Sequence, residues 1–443
     1  MAALSEERPS GGAFVFSGEA SGRTVGGLTR TARMEDPCSR SGFLRAYRSS
    51  TELTLPCAEP DGESRRPDRS IHRRRALLLQ AVMIPEVQSI LNTDGSCAKE
   101  FLDLVPDGDL LSILRVMLLN RVMDRRLMTL QRQGRLGFYM TSTGEEAVTI
   151  GSAYALRSED PIFLSYRELG SLLWRGVPLA AIMNQLIGNA QDLSRGRQMP
   201  VHYCFREHHI PSVSSPVGTQ LPHACGFGYA ARILHTDQVA LAFCGEGAAS
   251  VGDFHTALNF AGVLNAQTVF VIRNNGYAIS TPETVQTKAR SLAIRADGYG
   301  IPGVRIDGTD LLMVVQAVKE AAERARQGAG PGLIEALTYR MGAHSSSDDP
   351  TRYRPEAEMR QWEEFDALAR LRRHANWRGI WTDTMEEEAA AASEKAVSRM
   401  ISDCERVPPP PVESLFDDVY ERMPELLRMQ KEEYLRFLGK RER

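Results

Sequence analysis

The chain has 443 residues, of which 42% are hydrophobic and 25% are charged, and its formal net charge at pH 7 is −3. This composition is typical of a globular protein with a large buried core. A nearly neutral chain lacks the strong positive field with which proteins bind nucleic acid or an anionic membrane surface. Neither is therefore expected as a partner, and small molecules or other proteins are better candidates.

The cysteines and the hydropathy pattern exclude two further classes. The seven cysteines are odd in number and form no Cys-x-x-Cys pair, so neither a disulfide framework nor a zinc site is predicted. No stretch of the sequence is apolar for long enough to predict a membrane-spanning helix. We expect reduced thiols and no membrane partner.

Residues 1–83 differ in composition from the rest of the chain. They are rich in Ser, Gly and Arg, and the first lysine of the chain is Lys99. We predict a disordered extension that serves as a mitochondrial presequence, which would place the protein in the mitochondrial matrix. The segment also contains acidic residues such as Glu6, which a presequence usually lacks, so an uncleaved extension or a true start at Met34 or Met83 remains an alternative.

The remainder predicts an α/β protein with a doubly wound parallel sheet. A long amphipathic helix is predicted from Asp109 to the residues before Gly134. Beyond it, helical stretches such as 250–263 and 309–326 separate apolar runs that read as short strands. Those runs are 161–165, 238–244, 267–273, 303–307 and 332–339. We predict one domain over residues 84–384.

The last part of the chain, residues 385–443, predicts a helical appendage. It has an acidic, Ala-rich helix over 385–403, four prolines at 408–411 and an amphipathic helix from Pro424 onward. We expect this appendage to dock on another surface.

The first chemical motif is Phe-Cys-Gly-Glu-Gly at 243–247, where an apolar strand runs into a helix. Gly245 and Gly247 would let a phosphate group approach the backbone, and the helix would offer N–H groups and the positive end of its dipole. Glu246 would supply a hard oxygen ligand for Mg²⁺. On its own this motif is weak evidence, because an ordinary turn explains it more readily.

The second motif, Ile-Arg-Asn-Asn-Gly-Tyr at 272–277, ends the next predicted strand and places Asn275 twenty-nine positions after Glu246. The carboxyl ends of adjacent parallel strands meet at one edge of a sheet. Mg²⁺ prefers six oxygen ligands. Glu246, the Asn275 amide, a backbone carbonyl near Tyr277, two diphosphate oxygens and one water would supply them.

This pair of motifs resembles the thiamine diphosphate motif, and the surrounding chain resembles the alpha subunits of 2-oxo acid dehydrogenases. The resemblance covers nearly all of residues 84–440 and is strongest at 131–147, 165–170, 194–203, 214–230 and 335–349. Within the family, the segments at 196–203 and 415–430 are more similar to members that act on branched 2-oxo acids than to those that act on pyruvate.

Position by position, the resemblance implies roles for residues around the cofactor. His344 and Ser215 would be catalytic, with His344 positioning the substrate and the lipoyl acceptor beside the cofactor. Mg²⁺ would be held by Glu246, Asn275 and Tyr277. The diphosphate would be contacted by Tyr166, Arg167, Ser215, Gly247, Ala248 and Arg273. A structural K⁺ would be held by Ser214, Pro216, Thr219 and Gln220. His202 would be a pocket residue.

Each of these roles has a plainer alternative. A lone arginine usually forms a surface salt bridge, and a lone histidine is usually a satisfied core or surface residue. We favour the functional interpretation because Arg273 abuts Asn274 and Asn275, because Arg167 is expected at the end of a strand, and because His344 follows the last predicted strand in a polar loop.

The same polar loop predicts a regulatory site at Ser345, next to His344. In the family this loop is a target of an inhibiting kinase. A phosphate group would add negative charge beside Asp348 and Asp349 and would displace the loop.

The chain departs from its relatives at three positions of interest: Ser165 replaces a usual Gln, Val251 a Glu and Ala343 a second His. None of these departures removes a predicted Mg²⁺ ligand. Ser165 and Ala343 could alter the preference for the acyl chain.

The chain offers no second domain for the pyrimidine half of the cofactor. The resemblance therefore implies a separate beta subunit, an alpha2beta2 heterotetramer and transfer of the acyl group to a lipoyl acyltransferase core. We expect the apolar faces of the helices at 110–133 and 424–438 to contact other subunits. Two alternatives remain: an enzyme for pyruvate or acetoin, or a non-catalytic scaffold paralogue.

Overall fold

The computed structural model of the chain describes residues 87–417 and 419–441. The extension predicted over residues 1–83, with Met34 and Met83, lies outside the described residues. Within them the cysteines are unpaired thiols. No helix in the described part combines the length and the apolar character that crossing a membrane requires.

The centre of the protein is a five-stranded parallel sheet with the strand order β1-β2-β3-β7-β6. Strands β4 and β5 form a small antiparallel hairpin. The strands are β1 (Ile162–Phe163), β2 (Ala240–Gly245), β3 (Thr268–Asn274), β4 (Tyr277–Ala278), β5 (Thr281–Pro282), β6 (Gly303–Asp307) and β7 (Gly332–Leu337). Every residue of β3 is buried, as expected for a parallel sheet that is covered on both faces.

The helices cover both faces of this sheet. They are α1 (Asp107–Arg132), α2 (Glu146–Ala155), α3 (Leu169–Trp174), α4 (Leu179–Ile187), α5 (Gln220–Ile233), α6 (Gly252–Leu264), α7 (Glu283–Gln286), α8 (Leu311–Arg326), α9 (Glu356–Glu363), α10 (Ala367–Trp377), α11 (Asp383–Cys404) and α12 (Glu425–Arg441). The predicted α/β class is confirmed.

Alternate residues of the central strands enter two separate cores, which is what makes the sheet doubly wound. Val269 and Val271 of β3 pack into the larger core, which contains the buried residues of α1, α2 and α8. Phe270 and Ile272 pack into the smaller core with α5 and α6. The alternation follows from the two-residue period of a strand.

The predicted strand at 161–165 extends two residues beyond β1, which ends at Phe163. The backbone N–H groups of Ser165 and Tyr166 donate to the carboxylate of Glu168, at 3.0 and 2.9 Å, instead of continuing the strand. The expectation that Arg167 ends a strand is therefore wrong. Arg167 lies in the turn before α3, because Glu168 caps that turn.

The predicted C-terminal helices are present, and the first of them packs on the rest of the protein. Helix α11 buries Val397, Met400 and Ile401 in the larger core, against α1 and α4. The apolar face of α1, which we expected to contact another subunit, is also buried in this core, at residues such as Leu110 and Ile113. That face is not available to a partner, and α12 is the tail helix that is largely exposed.

Candidate active site

A cavity of about 380 Å³ lies at the carboxyl end of the sheet, where the segments that follow β1, β2, β3 and β7 converge. It is lined by most of the side chains that the sequence predicted for a site: Tyr166, Arg167, Ser214, Ser215, Gln220, Glu246, Gly247, Ala248, Arg273, Asn275, Tyr277 and His344. Pro216 and Thr219 lie on the same loop as Ser214 but do not line the cavity, and neither does Ser345.

Glu246 and Asn275 meet at the ends of neighbouring strands. Gly245 of β2 pairs with Arg273 of β3, so both acceptor residues follow the same edge of the sheet. The backbone N–H of Asn275 acts on the carboxylate of Glu246 and favours its charged form. The Glu246 residue is only 3% exposed, and burial raises its pKa, as does the nearby charge of Glu145. A cation in the cavity would relieve this repulsion.

The two consecutive asparagines face opposite ways. Asn274 points into the body of the protein, where its amide donates to Glu335 at 2.8 Å. Asn275 faces the cavity, and its oxygen accepts from the backbone N–H of Tyr277 at 3.2 Å. A strand turns successive side chains to opposite faces, so only the second asparagine can reach a ligand in the cavity.

The arrangement fits Mg²⁺ better than a metal that prefers nitrogen or sulfur. Among the described residues, no group of three or more His, Cys, Asp or Glu side chains could hold a metal ion. The cavity instead offers one carboxylate and one amide oxygen, from Glu246 and Asn275. Mg²⁺ commonly takes one or two carboxylates and completes its octahedron with phosphate and water oxygens.

Arg273 supplies a positive charge beside this oxygen pair. Its guanidinium forms an ion pair with Glu145 and another with Glu168 at 2.6 Å, and it donates to the Ser165 hydroxyl at 2.7 Å. The Nε atom of Arg273 is buried and has no hydrogen-bond partner, although the residue lines the cavity. An unsatisfied donor of this kind is costly and would be satisfied by an anionic oxygen of a ligand.

Glycines leave room for such a ligand group. A Cβ atom on Gly245 would meet nothing within 4 Å, so open space lies in front of its backbone. A Cβ atom on Gly247 would come within 2.7 Å of the Cβ of Ala278, so the segment after β2 packs tightly on the hairpin of β4 and β5. The backbone is thus both close to the cavity and fixed in place.

His344 lines the cavity, and three contacts fix its position. Its backbone N–H donates to Asp348 at 2.8 Å, its carbonyl accepts from Arg167 at 2.9 Å, and its ring packs edge-on against Tyr166. Burial lowers the pKa of His344 to about 3, with contributions from the positive charges of Arg167 and Arg340. The imidazole is therefore neutral near pH 7 and can accept a proton or a hydrogen bond.

Ser215 is the other predicted catalytic residue. Its hydroxyl lies 2.7 Å from Nε2 of His202, and Nδ1 of the same ring lies 3.1 Å from the carbonyl of Pro200. His202 is buried behind the serine and is absent from the cavity lining. It contacts the site through Ser215.

Sequence reasoning missed three charged residues at the site. Arg340 lines the cavity and donates to the carbonyl of Ile279 at 3.2 Å, while Glu145 and Glu168 hold Arg273 from below. Arg340 had a usable signal, because it follows the end of β7 at the same edge as the two motifs. Glu145 and Glu168 had no such signal in the sequence, since their role depends on contacts between distant segments.

Ser345 is buried at 7% exposure, and its hydroxyl accepts from the backbone N–H of Ser347 at 3.3 Å. The next serine, Ser346, bonds to the backbone of Tyr139 in both directions, at 2.9 and 3.2 Å. A kinase could reach Ser345 only if this loop opened.

Comparison with known proteins agrees with this geometry. Residues 114–413 match the model of the family described as the dehydrogenase E1 component. The chain is 45% identical over 335 residues to the mitochondrial 2-oxoisovalerate dehydrogenase subunit alpha of Bos taurus, an alignment that covers 75% of this chain and 74% of that protein. The corresponding protein of Homo sapiens is 44% identical over 335 residues, covering 75% of each chain.

A plant relative agrees as well. The mitochondrial 2-oxoisovalerate dehydrogenase subunit alpha 2 of Arabidopsis thaliana is 40% identical over 362 residues, which cover 78% of this chain and 77% of that protein. The family match spans the sheet, the cavity and α11. The chain therefore belongs to the dehydrogenase E1 component family, a family of thiamine diphosphate-dependent enzymes.

Proposed function

We propose that this chain is the alpha subunit of a branched-chain 2-oxo acid dehydrogenase. The reaction is the oxidative decarboxylation of branched 2-oxo acids derived from Leu, Ile and Val, with transfer of the acyl group to a lipoyl domain. The observation that supports it most is the meeting of Glu246 and Asn275 beside the unsatisfied Nε of Arg273. The names of the relatives point to the branched substrate.

In this proposal the chain holds the diphosphate half of the cofactor. Glu246, the amide oxygen of Asn275 and the carbonyl of Tyr277 would hold Mg²⁺. The diphosphate contacts are Tyr166, Arg167, Ser215, Gly247, Ala248 and Arg273, and Ser214, Pro216, Thr219 and Gln220 hold a structural K⁺. When bound, thiamine diphosphate supplies the nucleophilic carbon and the electron sink for loss of carbon dioxide.

His344 and Ser215 act at the reacting end of the cavity. The neutral imidazole of His344 accepts a hydrogen bond or a proton from the substrate or the lipoyl acceptor. Tyr166 and Arg167 fix the orientation of this ring. Nδ1 of His202 donates to the carbonyl of Pro200 at 3.1 Å, so Nε2 of the same ring accepts from the Ser215 hydroxyl at 2.7 Å.

Partner proteins supply the binding site for the pyrimidine half of the cofactor and the lipoyl substrate. We propose a beta subunit in an alpha2beta2 heterotetramer, a lipoyl acyltransferase core and a regulatory kinase, in the mitochondrial matrix. Helix α12 supports a protein partner, because Leu426, Met429 and Phe437 are 68%, 54% and 51% exposed. Exposed apolar side chains along one helix are typical of a subunit contact.

The test is reconstitution of the chain with its beta subunit, thiamine diphosphate and Mg²⁺, followed by reduction of an artificial electron acceptor. We expect activity with 2-oxoisovalerate at a specificity constant above that for pyruvate, and none for the alpha chain alone. A preference for pyruvate or acetoin would correct the substrate class. A complex that binds no thiamine diphosphate would indicate a scaffold and overturn the proposal. Glu246→Gln is the matched variant, because it keeps the shape of the side chain and removes the charge that holds Mg²⁺.

A further inference from the structure

Glu145 has a place in the site that its sequence context does not suggest. It is fully buried directly before α2, and its two carboxylate oxygens serve two different residues of the cavity wall. One oxygen accepts from the side-chain amide of Asn275 at 2.8 Å, and the other pairs with the guanidinium of Arg273. Glu145 itself does not line the cavity.

The contact with Asn275 decides which end of that amide faces the cavity. A carboxylate can only accept hydrogen bonds, so the amide nitrogen must face Glu145. The amide oxygen then points the other way, where it accepts from the backbone N–H of Tyr277 at 3.2 Å. A carbonyl oxygen has two lone pairs, so one remains for a cation in the cavity.

This orientation matters because the two ends of an amide have opposite chemistry. Mg²⁺ binds oxygen, and an amide NH2 group turned toward the cavity would repel it. Asn275 can turn about its last side-chain bond at little cost unless a partner fixes it. Glu145 and the N–H of Tyr277 are the two partners that the structure provides.

We propose that Glu145 is a positioning residue that presents the amide oxygen of Asn275 to the divalent cation. The inference rests on the proposed Mg²⁺ site. Glu145 acts through Asn275 and does not touch the metal. Its own position is fixed in turn by Arg273, which Glu168 holds from the other side at 2.6 Å.

A glutamine in place of Glu145 tests this role, because it has nearly the same shape but one acceptor instead of two. If its oxygen faces Asn275, its NH2 group faces the donors of Arg273. If its oxygen faces Arg273, its NH2 group faces the NH2 group of Asn275. Either arrangement sets donor against donor, and Asn275 is free to turn its oxygen away from the cavity.

The reciprocal exchange restores the pattern. In the double variant Glu145→Gln/Asn275→Asp, the NH2 group of the introduced glutamine donates to the introduced aspartate. The oxygen of the same glutamine accepts from Arg273, so no two donors face each other. The aspartate then offers an oxygen to the cation whichever way it turns, and the pair keeps its single negative charge. Asn275→Asp alone sets two carboxylates against each other and has no such compensation.

The experiment measures Mn²⁺ binding by electron paramagnetic resonance in the reconstituted alpha–beta complex with thiamine diphosphate. We expect Glu145→Gln to weaken Mn²⁺ binding by about 10–100-fold, the usual effect of removing a group that orients a metal ligand. The double variant should recover most of that loss. An aspartate at position 275 is itself a stronger ligand than an amide, so the double variant is compared with Asn275→Asp alone. A positioning role predicts that the double variant binds Mn²⁺ more tightly than Asn275→Asp, whereas a merely structural role predicts that the two changes act independently.

Asp160→Asn is the matched control. Asp160 is another fully buried carboxylate, paired with Arg326 at 2.8 Å and located before β1, away from the cavity. We expect it to lower the unfolding temperature and to leave Mn²⁺ binding unchanged. Equal Mn²⁺ affinity in Glu145→Gln and the wild type, or a double variant no tighter than Asn275→Asp, would overturn the inference alone. A wild-type complex that binds no Mn²⁺ would overturn the proposed metal site as well.

Discussion

Arg167 contacts both the backbone and the ring of His344: its Nη2 donates to the His344 carbonyl at 2.9 Å and lies 3.3 Å from Nδ1 of the ring. Burial is the main reason why the pKa of His344 falls to about 3, and the cations Arg167 and Arg340 add to it. The imidazole then stays neutral while an ordinary histidine would titrate. Neutral imidazole attacks the carbonyl carbon of diethyl pyrocarbonate, so we predict that the rate of this reaction at His344 shows no inflection between about pH 5 and 8.

The lowered pKa of His344 also makes the stability of the folded protein depend on pH. Because the folded pKa lies below the ordinary value of 6.5, the unfolded chain takes up a proton before the folded one does. The contribution of His344 is complete above pH 6.5 and is lost as the pH falls from there toward about 3. Arg167→Gln removes one cation and should raise the pKa of His344. A wild-type inflection near neutrality would contradict the assignment.

Arg273 is the cation that two fully buried carboxylates share, so its removal should affect both folding and the cofactor. Arg273→Met leaves Glu145 and Glu168 without their common partner. We expect a loss of about 3–5 kcal/mol in the free energy of unfolding, the usual result of breaking a buried ion pair. Denaturant unfolding measures it, and calorimetry should show weaker binding of thiamine diphosphate.

Arg326→Met is the control for that prediction. Arg326 pairs with buried Asp160 outside the cavity, so its loss should destabilise the fold and leave cofactor affinity intact. If Arg273→Met and Arg326→Met bind thiamine diphosphate equally well, Arg273 does not bind the diphosphate directly.

Gly247 should tolerate no side chain. A Cβ atom there would come within 2.7 Å of the Cβ of Ala278, and neither backbone segment can move without disturbing the cavity wall. We predict that Gly247→Ala weakens binding of thiamine diphosphate at least about tenfold, since a small displacement at a preorganised site has a large effect. Gly252→Ala is the control, because a Cβ atom on Gly252 would meet nothing within 4 Å. Equal affinity for thiamine diphosphate in the two variants would show that the hairpin of β4 and β5 moves to make room for the added methyl group.

The sequence predicted the sheet, and the meeting of Glu246 and Asn275 at its edge, for physical reasons that can be named. Buried parallel strands are continuous apolar runs, so β2, β3 and β6 were found within two residues of their observed bounds. Glu246 and Asn275, which we propose as Mg²⁺ ligands, were singled out because strand ends in a parallel sheet converge, which makes the two residues neighbours despite their separation in the chain.

What the sequence did not predict depends on side chains that meet from distant segments. Glu145 and Glu168 stand far from Arg273 in the chain, and no local pattern marks them as its partners. The early end of β1 has the same origin, since the carboxylate of Glu168 competes for the backbone of Ser165. The burial of α1 and α11 in one core depends on packing between distant helices, which helical periodicity does not specify.

Ser345 is the predicted switch, and its burial determines how it would work. The hydroxyl lies within the loop beside His344, at 7% exposure, so an added negative charge cannot be accommodated without displacing the loop. We predict that Ser345→Glu lowers activity with 2-oxoisovalerate by at least about tenfold by misplacing His344. Hydrogen exchange should increase across residues 342–348. Ser347→Glu adds the same charge two residues later at an exposed position and should change neither measurement. If Ser345→Glu keeps full activity and an unchanged exchange pattern, the loop accepts the charge in place and Ser345 is not a switch.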